Sequence, residues 1–510
     1  MIKKIPDYII KVLKKIEKSG FEAHIVGGCV RDLLLIKKPN DWDITTNAKP
    51  KEILKIFPDG KYENKFGTVI VPEKYLGEET SANNIEITTY RIESAYSDKR
   101  RPDEVKFAKT LKEDLSRRDF TINAMTLGTK NRLTDLFNGE KDLKDKIIRT
   151  VGNPEERFNE DALRMMRAIR FASQLSKGND LSFLKKRKGM GKQNEKEYEG
   201  LWRIGDRTFA AIKKNNELLK HISLERTRDE LEKIILSDRP AWGIELLVET
   251  GLIKYIIPEL YDTIGVRQNR HHYHGPYNTV YKHMLAALKT CPSKKLEVRL
   301  ASFFHDIGKP KSKRGEGEFS TFYGHEYIGA KITKTILERL KFPRKTIEKT
   351  ALLVKNHMFY YNVDEVGEKG VRKVISKVGL KNINDLIDVR IGDRLGSGVA
   401  KAVPYKLRHF KYMVEKVSHD PISVKELKID GNDLVTKLKI NPGPKIGAIL
   451  NVLLAEVIEE PKRNTKKLLL KRANKLQSQN LKDLKKKAKK KITEERKEDE
   501  KEMKGKYWVK

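Results

Sequence analysis

Two glycines, an arginine and two aspartates near the start of the chain have types and a spacing that suit chemistry on a nucleotide phosphate. Gly27 and Gly28 follow an apolar stretch and let the backbone approach a bulky anion, and Arg31 comes within the next turn. Asp41 and Asp43 are separated by one residue, so an extended strand carries both carboxylates on one face. Because paired carboxylates bind divalent metal ions, the pattern predicts metal-assisted attack on a phosphate held by the glycine turn.

The elements that must position these residues form a small α/β domain. An apolar strand ends at Val26, a helix is predicted from Val30 to Leu35, and a further strand carries the two aspartates. More strands are predicted at Thr68–Pro72 and Ile85–Glu93. Glu86 lies on the last strand, where it is either a third metal-binding carboxylate or an ordinary solvent-facing glutamate.

Two further segments of this domain carry clustered arginines. The stretch Arg117–Met125, RRDFTINAM, has the pattern of an apolar helix start, with Asp119 and Asn123 as capping residues. The planar guanidinium of Arg118 can donate paired hydrogen bonds to the oxygens of a triphosphate. The polar stretch Arg91–Phe107 contains a proline and a basic run, which predicts a mobile loop near the substrate.

A helix predicted over Glu160–Ala172 carries residues that can distinguish nucleobases. Arg164, Arg167 and Arg170 recur along one side of this helix, a pattern that alone is typical of a solvated face. Asp161 lies one turn before Arg164, and a carboxylate beside a guanidinium matches the donor and acceptor edge shared by cytosine and adenine. The pair therefore predicts selection of C and A over G and U.

A second group of candidate ligands lies in the middle of the chain. One histidine on an apolar helix face is usually a core residue, but an adjacent His-Asp doublet with further histidines and an aspartate favours two divalent metals and phosphoester hydrolysis. We assign metal binding to His283, His305, Asp306 and Asp393, with His325 and His357 as additional candidates.

The charge balance indicates a polyanionic partner. The chain has 510 residues, of which 107 are basic and 71 acidic, for a formal net charge of +36. Nucleic acid is the usual partner of a protein with such an excess of positive charge, and a lysine-favouring organism is the alternative explanation of the excess.

The cysteines and the N-terminus bear on the cellular compartment. Two cysteines, Cys29 and Cys291, lie far apart and predict a reducing, cytoplasmic compartment. The lysine-interrupted N-terminal helix, with Ile9 and Val12 on its apolar side, lacks the pattern of a membrane span.

Taken in order, the motifs GGCVRD, DWDIT, RRDFTINAM, EDALRMMRAIRFA and LERTRDEL resemble those of the class II tRNA nucleotidyltransferases, the CCA-adding enzymes and their bacterial poly(A) polymerase relatives. The resemblance covers about residues 20–470 and implies an α+β multidomain fold. It implies a small polymerase-β-type nucleotidyltransferase head at 1–148, a helical neck at 149–266, an HD metal-dependent phosphohydrolase-like domain at 267–408, a helical tRNA-binding region at 409–475 and a lysine-rich tail at 476–510. Within the neck, 174–206 is predicted to be a flexible basic loop, and the tail to be disordered or a lone helix.

The resemblance also implies roles for individual residues. Magnesium ions would bind Asp41 and Asp43, and a transition-metal ion is possible in the HD domain. The nucleotide would contact Gly27, Gly28, Arg31, Arg118, Asp161, Arg164, Arg167 and Arg170. The implied reaction is the addition of CMP and AMP, from CTP and ATP, to the tRNA 3′ end, with no membrane and no protein partner.

Several alternatives remain open at the level of sequence. C and A present the same edge to Asp161, so an enzyme that adds only CC, one that adds only A, and a poly(A) polymerase all fit. An HD phosphohydrolase with an RNA-binding head is the alternative from a different class. A protein that only binds RNA is disfavoured, because the neighbouring carboxylates of Asp41 and Asp43 would then repel each other with no metal ion to neutralise them.

Overall fold

The computed structural model describes residues 5–62, 67–72, 84–94, 104–177, 200–269, 278–399, 403–418, 424, 427–486 and 501–509. These fall into two compact units. The first comprises Met1–His357 and Asp388–Ala400, and the second comprises Met358–Ile387 and Lys401–Lys510. The predicted fold class, a mixed α/β head followed by a mostly helical remainder, is confirmed.

A seven-stranded sheet forms the centre of the head. The strands of the head are β1 (Ala23–Val26), β2 (Asp43–Thr46), β3 (Lys61–Tyr62), β4 (Thr68–Pro72), β5 (Asn84–Thr89), β6 (Arg91–Ser94), β7 (Glu104–Phe107), β8 (Met125–Leu127) and β9 (Leu133–Asp135). The order across the sheet is β3-β4-β5-β2-β1-β8-β9. Strands β2 and β5 are parallel, and the other paired neighbours are antiparallel.

Among the described residues of this region, five helices accompany the sheet. They are α1 (Asp7–Lys18), α2 (Gly28–Leu34), α3 (Pro50–Ile56), α4 (Leu111–Ser116) and α5 (Gly139–Asp145). Helix α1 forms because its apolar residues recur at helical spacing, and this face is buried by packing on β1 and α3. Helix α2 begins at Gly28 and ends at Leu34, slightly earlier than the predicted range at both ends.

Two segments of the head differ from the prediction. The stretch Arg91–Phe107 is not a loop at its ends, because β6 and β7 pair as an antiparallel ribbon; residues 95–103 lie outside the described part of the chain. RRDFTINAM does not start a helix: a single 3-10 turn at Thr121–Asn123 leads into β8. The backbone N–H of Thr121 donates to the carbonyl of Arg149 and its hydroxyl to Asp142, so distant partners satisfy groups that a helix would use.

The helices of the predicted neck follow, and the helix predicted over Glu160–Ala172 is in fact two helices. The neck contains α6 (Pro154–Glu160), α7 (Leu163–Leu175), α8 (Asp206–Asn215), α9 (Leu224–Ile235) and α10 (Pro240–Glu249). Asp161 lies between α6 and α7 in an extended conformation, and its carboxylate accepts from the backbone N–H of Leu163 at 3.0 Å. This contact lies in the turn between the two helices, where Asp161 is the C-cap residue of α6 and Ala162 the N-cap residue of α7.

The predicted basic loop at 174–206 is also structured at its ends. Helix α7 continues to Leu175, and Trp202 is buried at 3% exposure. Strand β11 (Arg203–Ile204) pairs in parallel with β10 (Ile147–Ile148). Apolar residues near the end of the segment therefore return the chain to the neck, while residues 178–199 lie outside the described part.

The remaining helices complete the two units. They are α11 (Val280–Thr290), α12 (Leu296–Phe304), α13 (Lys309–Ser312), α14 (His325–Arg339), α15 (Arg344–Asn356), α16 (Glu368–Val378), α17 (Leu380–Gly396), α18 (Tyr405–Ser418), α19 (Gly431–Leu438), α20 (Pro444–Glu459) and α21 (Lys466–Leu476). Helices α19, α20 and α21 pack around a core in the second unit that includes Leu434, Leu453 and Ala473. Within the described residues, no helix has both the length and the apolar character needed to cross a bilayer.

The predicted disordered or lone-helix tail is wrong at its end. Residues 501–506 are helical, and the side chains of Lys506 and Tyr507 bond to Glu415 of α18 at 2.8 and 2.6 Å. The helix is therefore packed rather than isolated. Residues 487–500 lie outside the described part of the chain.

Candidate functional site

The predicted carboxylates lie at the start of β2 and on its neighbour β5. Asp43 is the first residue of β2 and is paired in the parallel register with Glu86, so both side chains project from the same face. The prediction that one strand carries both aspartates is wrong at Asp41, which lies in an exposed bend before the strand. Burial raises the pKa of Asp43; the positive charge of Arg118 opposes this rise, and the negative charge of Asp41 adds to it. A divalent cation is the natural counter-charge for such a group, and hard carboxylate oxygens fit Mg²⁺.

The glycine turn and Arg118 face Asp43. Gly27 has a φ of +82°, and a Cβ at this position would lie 3.0 Å from Nη1 of Arg118 and 3.6 Å from Oδ2 of Asp43. Arg118 is also held 3.4 Å from Oδ2 of Asp114, which is fully buried. Its Nε is buried without a hydrogen-bond partner. The guanidinium therefore has a buried donor, Nε, without a partner, and its Nη1 lies beside the space that Gly27 leaves.

Arg31 joins the glycine turn to the neck. Its guanidinium donates to Oδ1 of Asn123 at 2.9 Å and to Oδ1 of Asp32 at 2.8 Å. It also lies 5.3 Å from the ring centroid of Phe171 on α7, and the guanidinium groups of Arg167 and Arg170 lie 5.7 and 4.1 Å from the same ring. Three predicted nucleotide-binding arginines therefore converge on one aromatic ring, as cation–π attraction favours.

The side chains of Asp161 and Arg164 each contact other residues, while the backbone N–H of Arg164 donates to the carbonyl of Asp161 at 3.0 Å. Asp161 accepts two hydrogen bonds from the guanidinium of Arg226, at 2.8 and 3.3 Å. Arg164 is 8% exposed, and it donates to Glu160 at 2.6 Å and to the backbone carbonyl of Arg117 at 3.2 Å. Arg164 is therefore a buried, ion-paired side chain and does not lie on a solvated face, which is what the arginine pattern alone would indicate.

The other two arginines of α7 are also ion-paired. Arg167 donates to Oδ2 of Asp119 at 2.6 and 2.8 Å, and Arg170 donates to Glu230 at 2.6 Å. Burial alone would raise the pKa of Asp119, but Arg167 outweighs it and holds that pKa below its usual range. The predicted capping role of Asp119 is thus replaced by a long-range ion pair.

Sequence reasoning missed three residues that hold this site together, Asp114, Arg226 and Glu230. Asp114 bonds both arginines of the RRD motif. Arg226 and Glu230 both come from the LERTRDEL motif and lie one turn apart on α9. The available signal was their helical spacing, which places the arginine and the glutamate on one face of a helix, in a motif to which the sequence analysis gave no role.

The histidines and aspartates of the middle region meet in a second site. His283 lies on α11, His305 follows α12, His325 begins α14, His357 follows α15 and Asp393 lies on α17. The structure divides the six ligands into a first trio, His283, His305 and Asp393, and a second trio, Asp306, His325 and His357. Within each trio the ligand atoms all lie within 4.8 Å of one another, so the two additional candidates join the four assigned ligands.

Three of these histidines are oriented by the backbone. The Nδ1–H groups of His305, His325 and His357 donate to carbonyls three residues earlier, at 2.8, 2.8 and 2.7 Å. This contact fixes the tautomer and directs the Nε2 lone pair inward, an arrangement typical of metal-binding histidines. The donor set therefore fits a divalent metal.

Asp306 connects the two trios. Its Oδ2 lies 3.4 and 3.3 Å from Nε2 of His283 and His305, and its Oδ1 lies 3.2 Å from Nε2 of His325. Burial alone would lower the pKa of His305, but Asp306 and Asp393 outweigh it and raise that pKa to about 10. The two carboxylates thus attract positive charge to these six residues, and a metal ion can supply that charge in place of the proton on His305.

Close contacts between helices position the ligands of the second site, and glycines make these contacts possible. A Cβ on Gly308 would lie 2.2 Å from the carbonyl oxygen of His325, and one on Gly392 would lie 2.8 Å from that of Ala287. The first contact holds α14 against the turn that follows the His-Asp doublet. The second brings α17, and with it Asp393, close to α11.

Comparison with protein families supports the assignment of the head. Residues 23–149 match the poly A polymerase head domain, and residues 203–263 match the probable RNA and SrmB-binding site of polymerase A. Residues 328–473 match domain 2 of tRNA nucleotidyltransferases. The fold and the head site therefore define a nucleotidyltransferase.

Whole-length relatives identify the family within that class. The chain is 34% identical over 484 residues to the CCA-adding enzyme of Ligilactobacillus salivarius, covering 93% of this chain and 98% of that protein. It is 33% identical over 473 residues to the CCA-adding enzyme of Pediococcus pentosaceus, covering 91% and 97%. The chain belongs to the family of CCA-adding enzymes, and this membership implies use of a divalent metal ion.

Solved structures share the fold. The CCA-adding enzyme of Bacillus stearothermophilus in complex with CTP aligns with a TM-score of 0.54 at 24% identity, covering 92% of this chain and 98% of that one. A CCA-adding enzyme in complex with ATP aligns with a TM-score of 0.52 at 23% identity, covering 89% and 90%.

Proposed function

We propose that this protein adds CMP and AMP from CTP and ATP to the 3′ end of tRNA, in CCA synthesis and repair. The single observation that carries the proposal is the arrangement of Asp43 with Glu86 beside it in the sheet and Gly27 and Arg118 facing it, in a chain that belongs to the CCA-adding enzymes. Relatives that carry the name CCA-adding enzyme, and related structures that contain CTP and ATP, support these substrates. The net charge of +36 fits an RNA substrate.

The carboxylates would act through bound magnesium. Asp41 and Asp43 would hold the ions, with Glu86 as a third ligand. Bound ions of this kind lower the pKa of an attacking hydroxyl and stabilise a departing pyrophosphate. Asp43 supports this role because its burial disfavours an uncompensated negative charge.

The triphosphate would lie against the glycine turn. Gly27 and Gly28 leave space for it, and Arg118 and Arg31 would donate to its oxygens. Arg118 has a buried Nε without a partner, and Arg31 is held in place by Asn123. Charge-assisted hydrogen bonds from guanidinium groups orient a phosphate strongly.

The base would be read at the junction of α6 and α7. Asp161 would accept from the exocyclic amine of C or A, and Arg226 fixes the position of its carboxylate. Base reading by Arg164 requires this side chain to exchange its contact with Glu160 for one with the nucleotide. Arg167 and Arg170, beside the ring of Phe171, would complete the nucleotide site.

The domain organisation that we propose keeps the bounds predicted from the sequence. The head at 1–148 is supported by the family match at 23–149, and RNA binding by the neck at 149–266 by the match at 203–263. The region at 409–475 overlaps the third match, which covers 328–473, and would contact tRNA. The tail at 476–510 would add a nonspecific RNA contact.

The test uses tRNA transcripts that end at the discriminator base, at C and at CC, each with Mg²⁺ and one labelled nucleotide. Ordered addition of C, C and A that then stops supports the proposal, whereas addition of C alone, A alone or a run of A would refute it. Asp41→Ala and Asp43→Ala should each abolish incorporation. Asp161→Ala should loosen the choice of base while RNA binding is retained.

A second activity is favoured by one specific observation, the convergence of six buried or partly buried ligands in the two trios. We propose that residues 267–408 contain an HD-type phosphohydrolase site. Imidazole nitrogens mixed with carboxylates suit a transition-metal divalent ion, which would activate water for phosphoester hydrolysis. Hydrolysis of p-nitrophenyl phosphate should persist in Asp43→Ala and disappear in His305→Ala; equal loss in both variants would contradict a separate site.

A further inference from the structure

Asp114 is a buried carboxylate of the head that belongs neither to the proposed metal ligands nor to the proposed phosphate contacts. It lies on α4, and its side chain is fully buried. Its Oδ1 accepts from Nε and Nη2 of Arg117 at 3.0 and 2.8 Å, and its Oδ2 accepts from Nη2 of Arg118 at 3.4 Å. Burial alone would raise the pKa of Asp114, but Arg117 and Arg118 outweigh it and hold that pKa below its usual range. The side chain is therefore an anion in the folded head.

The same carboxylate is bonded to the strand that carries Asp43. The hydroxyl of Thr45 donates to Oδ2 of Asp114 at 3.3 Å. Thr45 and Asp43 are alternate residues of β2, so their side chains project from the same face of the sheet. The backbone N–H of Arg91, at the start of β6, donates to Oδ1 of Asp114 at 3.4 Å. Asp114 thus connects the two arginines of the RRD motif to the strand of Asp43 and to the ribbon of β6 and β7.

Asp114 does not hold the two arginines equally. Arg117 makes two short contacts with Oδ1, so it compensates most of the carboxylate charge. Arg118 makes one longer contact with Oδ2, while its Nη1 lies beside the space that Gly27 leaves and its Nε is buried without a partner. Arg118 is therefore oriented by Asp114, and most of its positive charge stays available to an anion.

We propose that Asp114 is a positioning residue for nucleotide binding, which holds Arg118 at a fixed place relative to β2. The inference rests on the proposed function, in which Arg118 donates to the triphosphate and Asp43 binds magnesium. An arginine that is already oriented loses less conformational freedom when its ligand binds, so the ligand binds more tightly. A neutral amide of the same size lacks the charge that holds the guanidinium, which is why an aspartate rather than an asparagine serves here.

The proposal is tested with a double-mutant cycle on the full-length chain, in which the Kd of CTP is measured. Calorimetry with CTP and Mg²⁺, in the absence of RNA, gives this Kd without turnover. Asp114→Asn should raise the Kd about tenfold when Arg118 is present. In the Arg118→Met background the same change should alter the Kd less than about twofold, because the side chain that Asp114 positions is absent.

Two further variants separate positioning from general damage to the head. Thr45→Val keeps the carboxylate and removes only its contact with β2, so it serves if Asp114→Asn does not fold; it should raise the Kd of CTP about threefold, again only when Arg118 is present. Asp142→Asn is the matched control, because Asp142 is also a buried carboxylate of the head, bonded by Thr121 and Arg149. Any effect of Asp142→Asn on the Kd should be the same in both backgrounds.

Two outcomes overturn the inference and leave the proposed function intact. One is an equal rise of the Kd with and without Arg118, which would mean that Asp114 acts on the head as a whole. The other is an unchanged Kd in both Asp114→Asn and Thr45→Val. A wild-type chain that does not bind CTP would instead refute the proposed nucleotide site, and this inference with it.

Discussion

A methyl group added at Gly27 tests whether the glycine turn positions Arg118. Gly27 has φ +82° and ψ −134°, a conformation that alanine adopts only with strain. The new Cβ would lie 3.0 Å from Nη1 of Arg118, closer than most contacts of a real Cβ, and 3.6 Å from Oδ2 of Asp43. Since Arg118 is the flexible partner, we expect Gly27→Ala to displace its guanidinium.

The expected magnitude has two parts. Backbone strain of this kind costs about 1–3 kcal/mol of stability. A hydrogen bond to a charged group contributes about 1.5–3 kcal/mol, and its loss at the triphosphate corresponds to a fall of roughly 10- to 150-fold in kcat/KM for CTP. The first part lowers stability and the second lowers activity, so the two can be measured separately.

Gly20→Ala is the matched control for the backbone. Gly20 has φ +87°, but a Cβ there would meet nothing within 4 Å. Urea unfolding should show a loss of stability in both variants, whereas single-nucleotide incorporation of CMP should fall only in Gly27→Ala. Equal activity in the two variants would refute the view that the space beside Gly27 positions Arg118.

Three further predictions concern other contacts of the first unit. Arg226→Met should leave the carboxylate of Asp161 without its guanidinium partner and lower the ratio of kcat/KM for CTP to that for UTP about tenfold or more; an unchanged ratio would count against the positioning role. Asp119→Asn should lower the urea midpoint at pH 7. Arg167 holds the pKa of Asp119 in the folded protein below the unfolded value of about 3.9, so the ion pair stabilises the protein fully above that pH and less below it. The difference in urea midpoint between wild type and Asp119→Asn should therefore shrink as the pH falls. A difference that stayed constant would contradict the ion pair. Gly308→Ala should strongly destabilise the second site, since its Cβ would lie 2.2 Å from a backbone carbonyl oxygen of α14, and a variant with wild-type stability and Mn²⁺ binding would show that this contact is dispensable.

Local patterns in the sequence predicted those parts of the fold that depend on neighbours in the chain. The apolar residues of α1 recur at helical spacing and are buried as expected, and the strand that carries Glu86 lies beside the strand of Asp43. The sequence also predicted that the His-Asp doublet would join other ligands. In each case the prediction depended on a local pattern: apolar residues that repeat at the period of one helix or strand, or two ligand residues adjacent in sequence.

The parts that could not be predicted depend on partners far along the chain. The break between α6 and α7 depends on Asp161, which accepts from Leu163 and from Arg226, 65 positions away. The spacing of the arginines of α7 did not reveal their ion-pair partners, because a partner such as Glu230 lies on another helix. Helical periodicity describes one element at a time, and it therefore cannot show which carboxylate a guanidinium will reach.

The predicted cytoplasmic location, the identities of the bound ions and the roles of individual site residues stay predictions. Of these, the roles in the head are tested by the variants of Asp41, Asp43 and Asp161.

The mass of the RNA product tests the central claim most directly. A tRNA transcript ending at the discriminator base is incubated with Mg²⁺ and all four nucleoside triphosphates at equal concentration, and the intact product is weighed by mass spectrometry. We expect the wild-type protein to add the mass of two cytidylates and one adenylate and then stop, and Asp43→Asn to add nothing. A product with only one kind of nucleotide, a longer run of adenylate, or full extension by Asp43→Asn would contradict the account.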